Sequence, residues 1–87
     1  MDHFDYLERL RSYVRSTLEE LGADTSFIQE TILLRSGQYC GRRFRAGEFV
    51  AVWFSDENEV KFYAPSDGVV RVVRPAVFSD VEVKRAA

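Results

Sequence analysis

From residue 27 to residue 74 the chain is a succession of short runs rich in β-branched and aromatic residues, broken by turn residues at intervals of about ten. That is the pattern of an antiparallel meander, because such side chains pack well on a pleated surface and the turn residues allow the chain to reverse. Only one helical segment precedes it. Phe4, Leu7, Leu10, Val14, Leu18 and Leu21 recur at spacings of three and four and form a single apolar stripe. The spacing predicts a helix over residues 3–21, with Asp2 or Asp5 accepting from the free N–H groups of its first turn and Gly22 ending it. Glu8, Arg9, Arg11, Arg15, Glu19 and Glu20 fall on the opposite side, where Glu8 with Arg11 or Arg15 with Glu19 keep a solvated face wet. One helix and one sheet therefore define an α+β class.

Five strands are expected at 27–35, 38–45, 48–55, 60–64 and 69–74. They are joined at Ser36-Gly37, Ala46-Gly47, Asp56-Glu57-Asn58-Glu59 and Pro65-Ser66-Asp67-Gly68. Val77, Phe78, Val81 and Val83 allow a sixth short strand, after which Lys84-Arg85-Ala86-Ala87 should fray. Two-residue loops fix the pairing. Ser36-Gly37 sets Glu30 against Arg43, Leu34 against Tyr39 and Leu33 against Cys40. Ala46-Gly47 sets Phe44 against Phe49 and Cys40 against Trp53, which in turn faces Phe62. One side of the sheet then collects Leu33, Cys40, Phe44, Phe49, Ala51, Trp53, Val60 and Phe62. The other collects Ile28, Ile32, Leu34, Tyr39, Val50, Val52 and Phe54. Both sides are apolar, and one helical stripe covers only one of them.

The second face needs a cover, since an open apolar face larger than a few hundred Å² is uncommon on a soluble monomer. Three covers are compatible with the residues: the sheet curls into a small barrel with Gly41 marking a bend, two copies pair face to face, or a different protein or ligand binds. Phe44, Phe49, Trp53 and Phe62 are the expected interaction face. At 87 residues the chain buries only about 60 to 65% of its unfolded surface, which leaves room for one core and one domain, residues 1–87. The 46% hydrophobic and 30% charged composition excludes disorder, and a net charge of −2 indicates neither a strongly basic nucleic-acid binder nor an acidic tail.

The local concentration of charge is Arg35, Arg42, Arg43 and Arg45, opposed between residues 31 and 54 only by Glu48. Interleaved with Tyr39, Phe44, Phe49 and Trp53, these arginines suit stacked bases and phosphates, as in single-strand binders. They equally suit cross-strand ion pairs, Arg43 with Glu30 and Arg45 with Glu48, and the aromatics suit a core. Catalytic chemistry has less support. The one histidine, His3, lies at the helix start, far in sequence from the one cysteine, Cys40, whose apolar surroundings fit a small hydrophobe better than a thiolate. One cysteine excludes an intrachain disulfide, and with one histidine it cannot build a Cys/His zinc site. Asp56, Glu57 and Glu59 crowd a turn and fit a solvated loop better than a cation site, and Gly37, Gly41 and Gly47 do not open a helix as a phosphate loop would. No metal or cofactor is expected. No apolar run approaches the roughly 18 residues needed to span a bilayer, and the acidic start Met1-Asp2-His3-Phe4-Asp5 is unlike a signal peptide, so a cytoplasmic protein is expected.

Tyr39-Cys40-Gly41-Arg42-Arg43-Phe44, then Ala51-Val52-Trp53-Phe54, then Val60-Lys61-Phe62-Tyr63 resembles, over about half the chain, a group of short proteins from planctomycete-type bacteria. The resemblance implies a bacterial, cytosolic origin and brings no catalytic or binding residues with it. The residues as a whole predict an N-terminal helix on a strongly bent antiparallel sheet. The expected role is that of a non-enzymatic interaction module working as a homodimer, with an unidentified protein as the secondary partner, the alternative being a single-stranded nucleic-acid binder using arginines and aromatics.

Overall fold

The computed structural model describes residues 3–74. Helix α1 spans His3–Leu21. Its stripe is what makes it stable here: Leu7, Leu10, Val14 and Leu18 are buried, and Thr17 beside them is the polar residue carried into the same interface. The helix stops at Gly22, whose φ of 105° is open to glycine and strained for other residues. The Gly22 N–H donates to the Glu19 carbonyl at 3.0 Å and the Ala23 N–H to the Leu18 carbonyl at 2.9 Å, a Schellman closure that satisfies two otherwise orphaned carbonyls. The connection to the sheet is pinned by side chains. Arg15 donates to the Thr25 carbonyl at 2.7 Å, and the Thr25 hydroxyl donates to Glu19 at 2.6 Å, so Arg15 and Glu19 meet through Thr25. Glu8 and Arg11 pair directly at 2.7 Å.

Five strands follow: β1 (Gln29–Arg35), β2 (Gln38–Ala46), β3 (Phe49–Phe54), β4 (Glu59–Ala64) and β5 (Gly68–Val73). All neighbours are antiparallel in the order β1-β2-β3-β4-β5, with β1 and β5 as the two edges. The meander is as expected, but it is an open sheet; the barrel is corrected by the two edge strands, which do not meet. The anticipated sixth strand lies outside the described residues.

The core sits between α1 and one face of the sheet, where Phe44, Ala46, Ala51, Trp53, Val60 and Phe62 are buried against the helix, with Ile28, Phe49 and Val73 packed around them. Tyr13 meets Phe62 edge-on and Tyr6 lies 5.9 Å from Trp53, which extends the stripe sideways with aromatic contacts.

Register departs from expectation in three places, with different consequences. Between β2 and β3 the loop lies one residue further along, so Ala46 faces Phe49, Phe44 faces Ala51 and Trp53 faces Arg42; between β3 and β4 it lies one residue earlier, so Trp53 faces Val60 in place of the expected Phe62. That moves each pair by two residues, and a shift of two leaves every side chain on its own face. Between β1 and β2 the expected Leu34–Tyr39 pair forms, but a bulge then inserts Cys40, so Leu33 faces Gly41 and Glu30 faces Phe44. A single inserted residue reverses faces. Ile28, Ile32, Leu34 and Tyr39 therefore belong to the helix side, and Leu33 to the opposite one.

Next to the bulge, Gly41 admits a close approach of β3 that any side chain would block. A Cβ at this position would lie 1.9 Å from the Trp53 carbonyl oxygen, and the preceding Cys40 carbonyl accepts from the Ser55 N–H at 2.9 Å. Gly41 thus marks the anticipated bend without the closure that was to accompany it.

Candidate functional site

The alternation of β-strands places Phe44, Trp53 and Phe62 beneath α1 at 2%, 3% and 0% exposure, with Phe49 half-buried at the margin of the same core. They are the core, and the expected interaction face is corrected accordingly: the helix stripe has taken the side richest in large aromatics because that side buries the most area. Among the described residues, no element covers the other face.

The open face is built from three rows that cross the strands. The central row runs Thr31, Arg43, Val52, Lys61 and Val72; on one side lie Gln29, Arg45, Val50, Tyr63 and Val69; on the other lie Leu33, Gly41, Phe54 and Glu59. A second bulge, between Phe62 and Tyr63, makes Val70 the extra residue of β5. Along β3 the result is a ridge of Val50, Val52 and Phe54. Arg43 and Arg45 on β2 flank it on one side, and Lys61 and Tyr63 on β4 flank it on the other. At the end of the ridge the Arg35 guanidinium stands 5.7 Å from the Phe54 ring centre. Arg43 and Arg45 are exposed, and Val69 and Val72 are each 50% exposed. The carboxylate on this face is Glu59, which meets Arg74 at 3.5 Å.

The four arginines singled out in sequence divide between the two faces. Arg35, Arg43 and Arg45 reach the open side. Arg42 does not: its side chain is largely buried on the helix side, donating to Glu30 and to the Tyr39 hydroxyl. Neither expected cross-strand ion pair forms. The bulge gives Glu30 to Arg42 and to Arg11 of the helix, 2.8 Å away, and Arg45 donates instead to the Gly47 carbonyl at 3.3 Å. Hydrogen bonds from Arg11, the largest influence, hold the Glu30 carboxyl below the usual glutamate range; burial opposes them and Arg42 adds to them. This network clamps the helix edge to β1 and β2.

Lys61 is the cation of the open face that sequence reasoning missed. Its signal was its place between Val60 and Phe62, both core residues, which by alternation sends the intervening side chain the opposite way.

A cleft of about 290 Å³ lies between α1 and β1, lined by Glu8, Arg11, Ser12, Arg15, Ile28, Glu30 and Phe44. Its charged groups are engaged with one another or with the backbone. Cys40 lines a much smaller hollow of about 30 Å³ with Arg35, Phe54, Asp56 and Glu57. Among the described residues, no group of three His, Cys, Asp or Glu side chains is arranged to hold a metal ion, and no helix is long and apolar enough to cross a membrane.

No protein-family model matches this chain, and comparisons with curated proteins and with solved structures return no match.

Proposed function

We propose that this chain is a non-enzymatic protein-interaction module that works through the open face of its sheet. One observation carries the reading: the sheet has an apolar ridge on the side opposite its only helix among the described residues, and cations border that ridge on two strands. Apolar area supplies association free energy, and the bordering charges supply orientation and choice of partner. Self-association through this face is disfavoured by the same charges. Face-to-face pairing sets Arg43, Arg45 and Lys61 of one copy against those of another, and burying unpaired like charges costs several kcal/mol. The partner is therefore a different, anionic molecule.

Single-stranded nucleic acid is the second reading, and the face supports it less well. Three of the aromatics that would stack bases, Phe44, Phe49 and Trp53, lie in or against the core, and Tyr39 shares their side of the sheet. The open face offers valines and two aromatics, Tyr63 at its flank and Phe54, whose ring Arg35 already approaches.

The test is site-specific photo-cross-linking in the cells that make the protein. A cross-linking residue replacing Val52 should give a discrete adduct with another protein, and the same group replacing Ser16 on the exposed side of α1 should not. A Val52 position that yields no protein adduct, or only one with nucleic acid, overturns the proposal.

A further inference from the structure

We infer that the occupant of the open face is an amphipathic α-helix lying along β3, with carboxylates on both flanks of its apolar stripe. The inference rests on the interaction-module reading and names the chemistry of its partner.

Dimensions set the first constraint. β3 has six residues, so the ridge is about 20 Å long at about 3.3 Å per residue, the length of a helix of about 13 residues. The strands on either side of it, β2 and β4, stand about 9.6 Å apart, close to the diameter of a helix with its side chains. A helix seated over Val50 and Val52 would thus place its flanks above Arg43 and Arg45 on one side and Lys61 on the other. An extended peptide would instead seek unpaired backbone groups, which a sheet presents at its edges and not on its faces.

Charge sets the second constraint. The face carries Arg35, Arg43, Arg45 and Lys61 against Glu59, which Arg74 already approaches, although the whole chain has a net charge of −2. The cations stand unbalanced beside an apolar ridge, so the complementary surface is apolar in the middle and acidic at its sides.

The molecule supplies an internal precedent. On its other face the same sheet is covered by a helix with a buried apolar stripe, held at the rim by ion pairs of Glu20 with Arg71 and of Arg11 with Glu30, each at 2.8 Å. A second copy cannot offer that helix in trans, because the apolar stripe of α1 is already buried and its outer side presents Asp5, Glu8, Ser16 and Glu19.

The test uses the full 87-residue chain, labelled with ¹⁵N, and a synthetic helical peptide of about 14 residues with a leucine stripe flanked by glutamates. Amide shifts should move at Val50, Val52, Phe54 and Lys61 and not along α1. Arg43→Glu combined with Lys61→Glu should weaken binding roughly tenfold or more, and a lysine-flanked version of the peptide should prefer that variant to the parent. Should the double variant melt early, Arg45→Glu alone, at an exposed position, serves the same comparison. Equal binding of the two peptides to the parent overturns the inference, as does an oligothymidylate that binds the same amides more tightly. Lys61 protected from acylating reagents in the isolated protein would show that the chain, alone or as a dimer, covers the face itself, and would also overturn it. If the glutamate peptide fails while cross-linking from Val52 still yields a protein adduct, the helix inference falls and the interaction-module reading stands.

Discussion

The two faces of this sheet start from similar material and end differently. Each carries at least one valine and one phenylalanine on β3 and β4, yet α1 covers the centre of the side holding Phe44, Trp53 and Phe62, leaving Ile32 and Leu34 exposed at its β1 margin, while no described element covers the side holding Val52 and Val72. The charged residues differ in the same sense. On the covered side Glu30 is shared between Arg11 and Arg42 and Glu20 meets Arg71, so cation and carboxylate answer each other. On the open side Arg43, Arg45 and Lys61 face solvent beside apolar neighbours. A side with matched charges is held together by contacts within the fold, whereas a side with one sign of charge around an apolar ridge is shaped for something else.

The largest test of this contrast strikes the covered side. Val14 is fully buried in the helix–sheet interface, so Val14→Asp places an unpaired charge in the core. The cost of several kcal/mol compares with a total stability of about 5 to 15, and cooperative thermal unfolding should be lost. A variant melting within a few degrees of the parent would mean that α1 does not hold the sheet. Next is Gly41→Ala, where the added methyl has no room against the Trp53 carbonyl. Backbone must shift to admit it, and the urea midpoint should fall by an amount corresponding to about 1 to 3 kcal/mol.

A smaller effect separates the matched charges from the unmatched. The carboxyl of Glu30 has its folded pKa depressed by Arg11, so the stability it contributes is present above the unfolded value near 4.3 and is lost as pH falls through the folded value below it. Melting temperatures followed downward from pH 6 should therefore drop less steeply in Glu30→Gln than in the parent, and equal slopes would detach Glu30 from the clamp. The smallest effect is expected on the open side. Val72 is half exposed, and Val72→Thr should change stability by no more than about 0.5 kcal/mol in chemical denaturation. A loss of core size there would show that the face is covered in the isolated protein and would erase the contrast.

How much of this could be read from the residues follows from the range of the interactions involved. Leu7, Leu10, Val14 and Leu18 announce their helix by spacing alone, and Gly22 announces its end, because both depend on neighbours within one or two turns. The strands and their order were legible for the same reason, since a short turn joins each strand to the next. The side on which Val50, Val52 and Phe54 lie was legible too, because the misplaced loop at Gly47 moved the pairing by an even number. The bulge was not. Whether Cys40 continues the ladder or steps out of it depends on the Trp53 carbonyl and the Ser55 N–H, more than ten residues away, and on the absence of a side chain at Gly41. From that one step follow the reversal of Ile32, Leu34 and Tyr39 and the transfer of Glu30 from Arg43 to Arg42.

The sequence by itself determined that one helix and five strands form among the described residues and that both sides of the sheet are apolar, because local periodicity and turn chemistry decide both. Which side the helix takes, whether the sheet closes, and which arginines are left without a carboxylate were decided only in the tertiary structure. Those outcomes depend on competition between faces for one helical stripe and on contacts between residues far apart in the chain, and no local pattern encodes either.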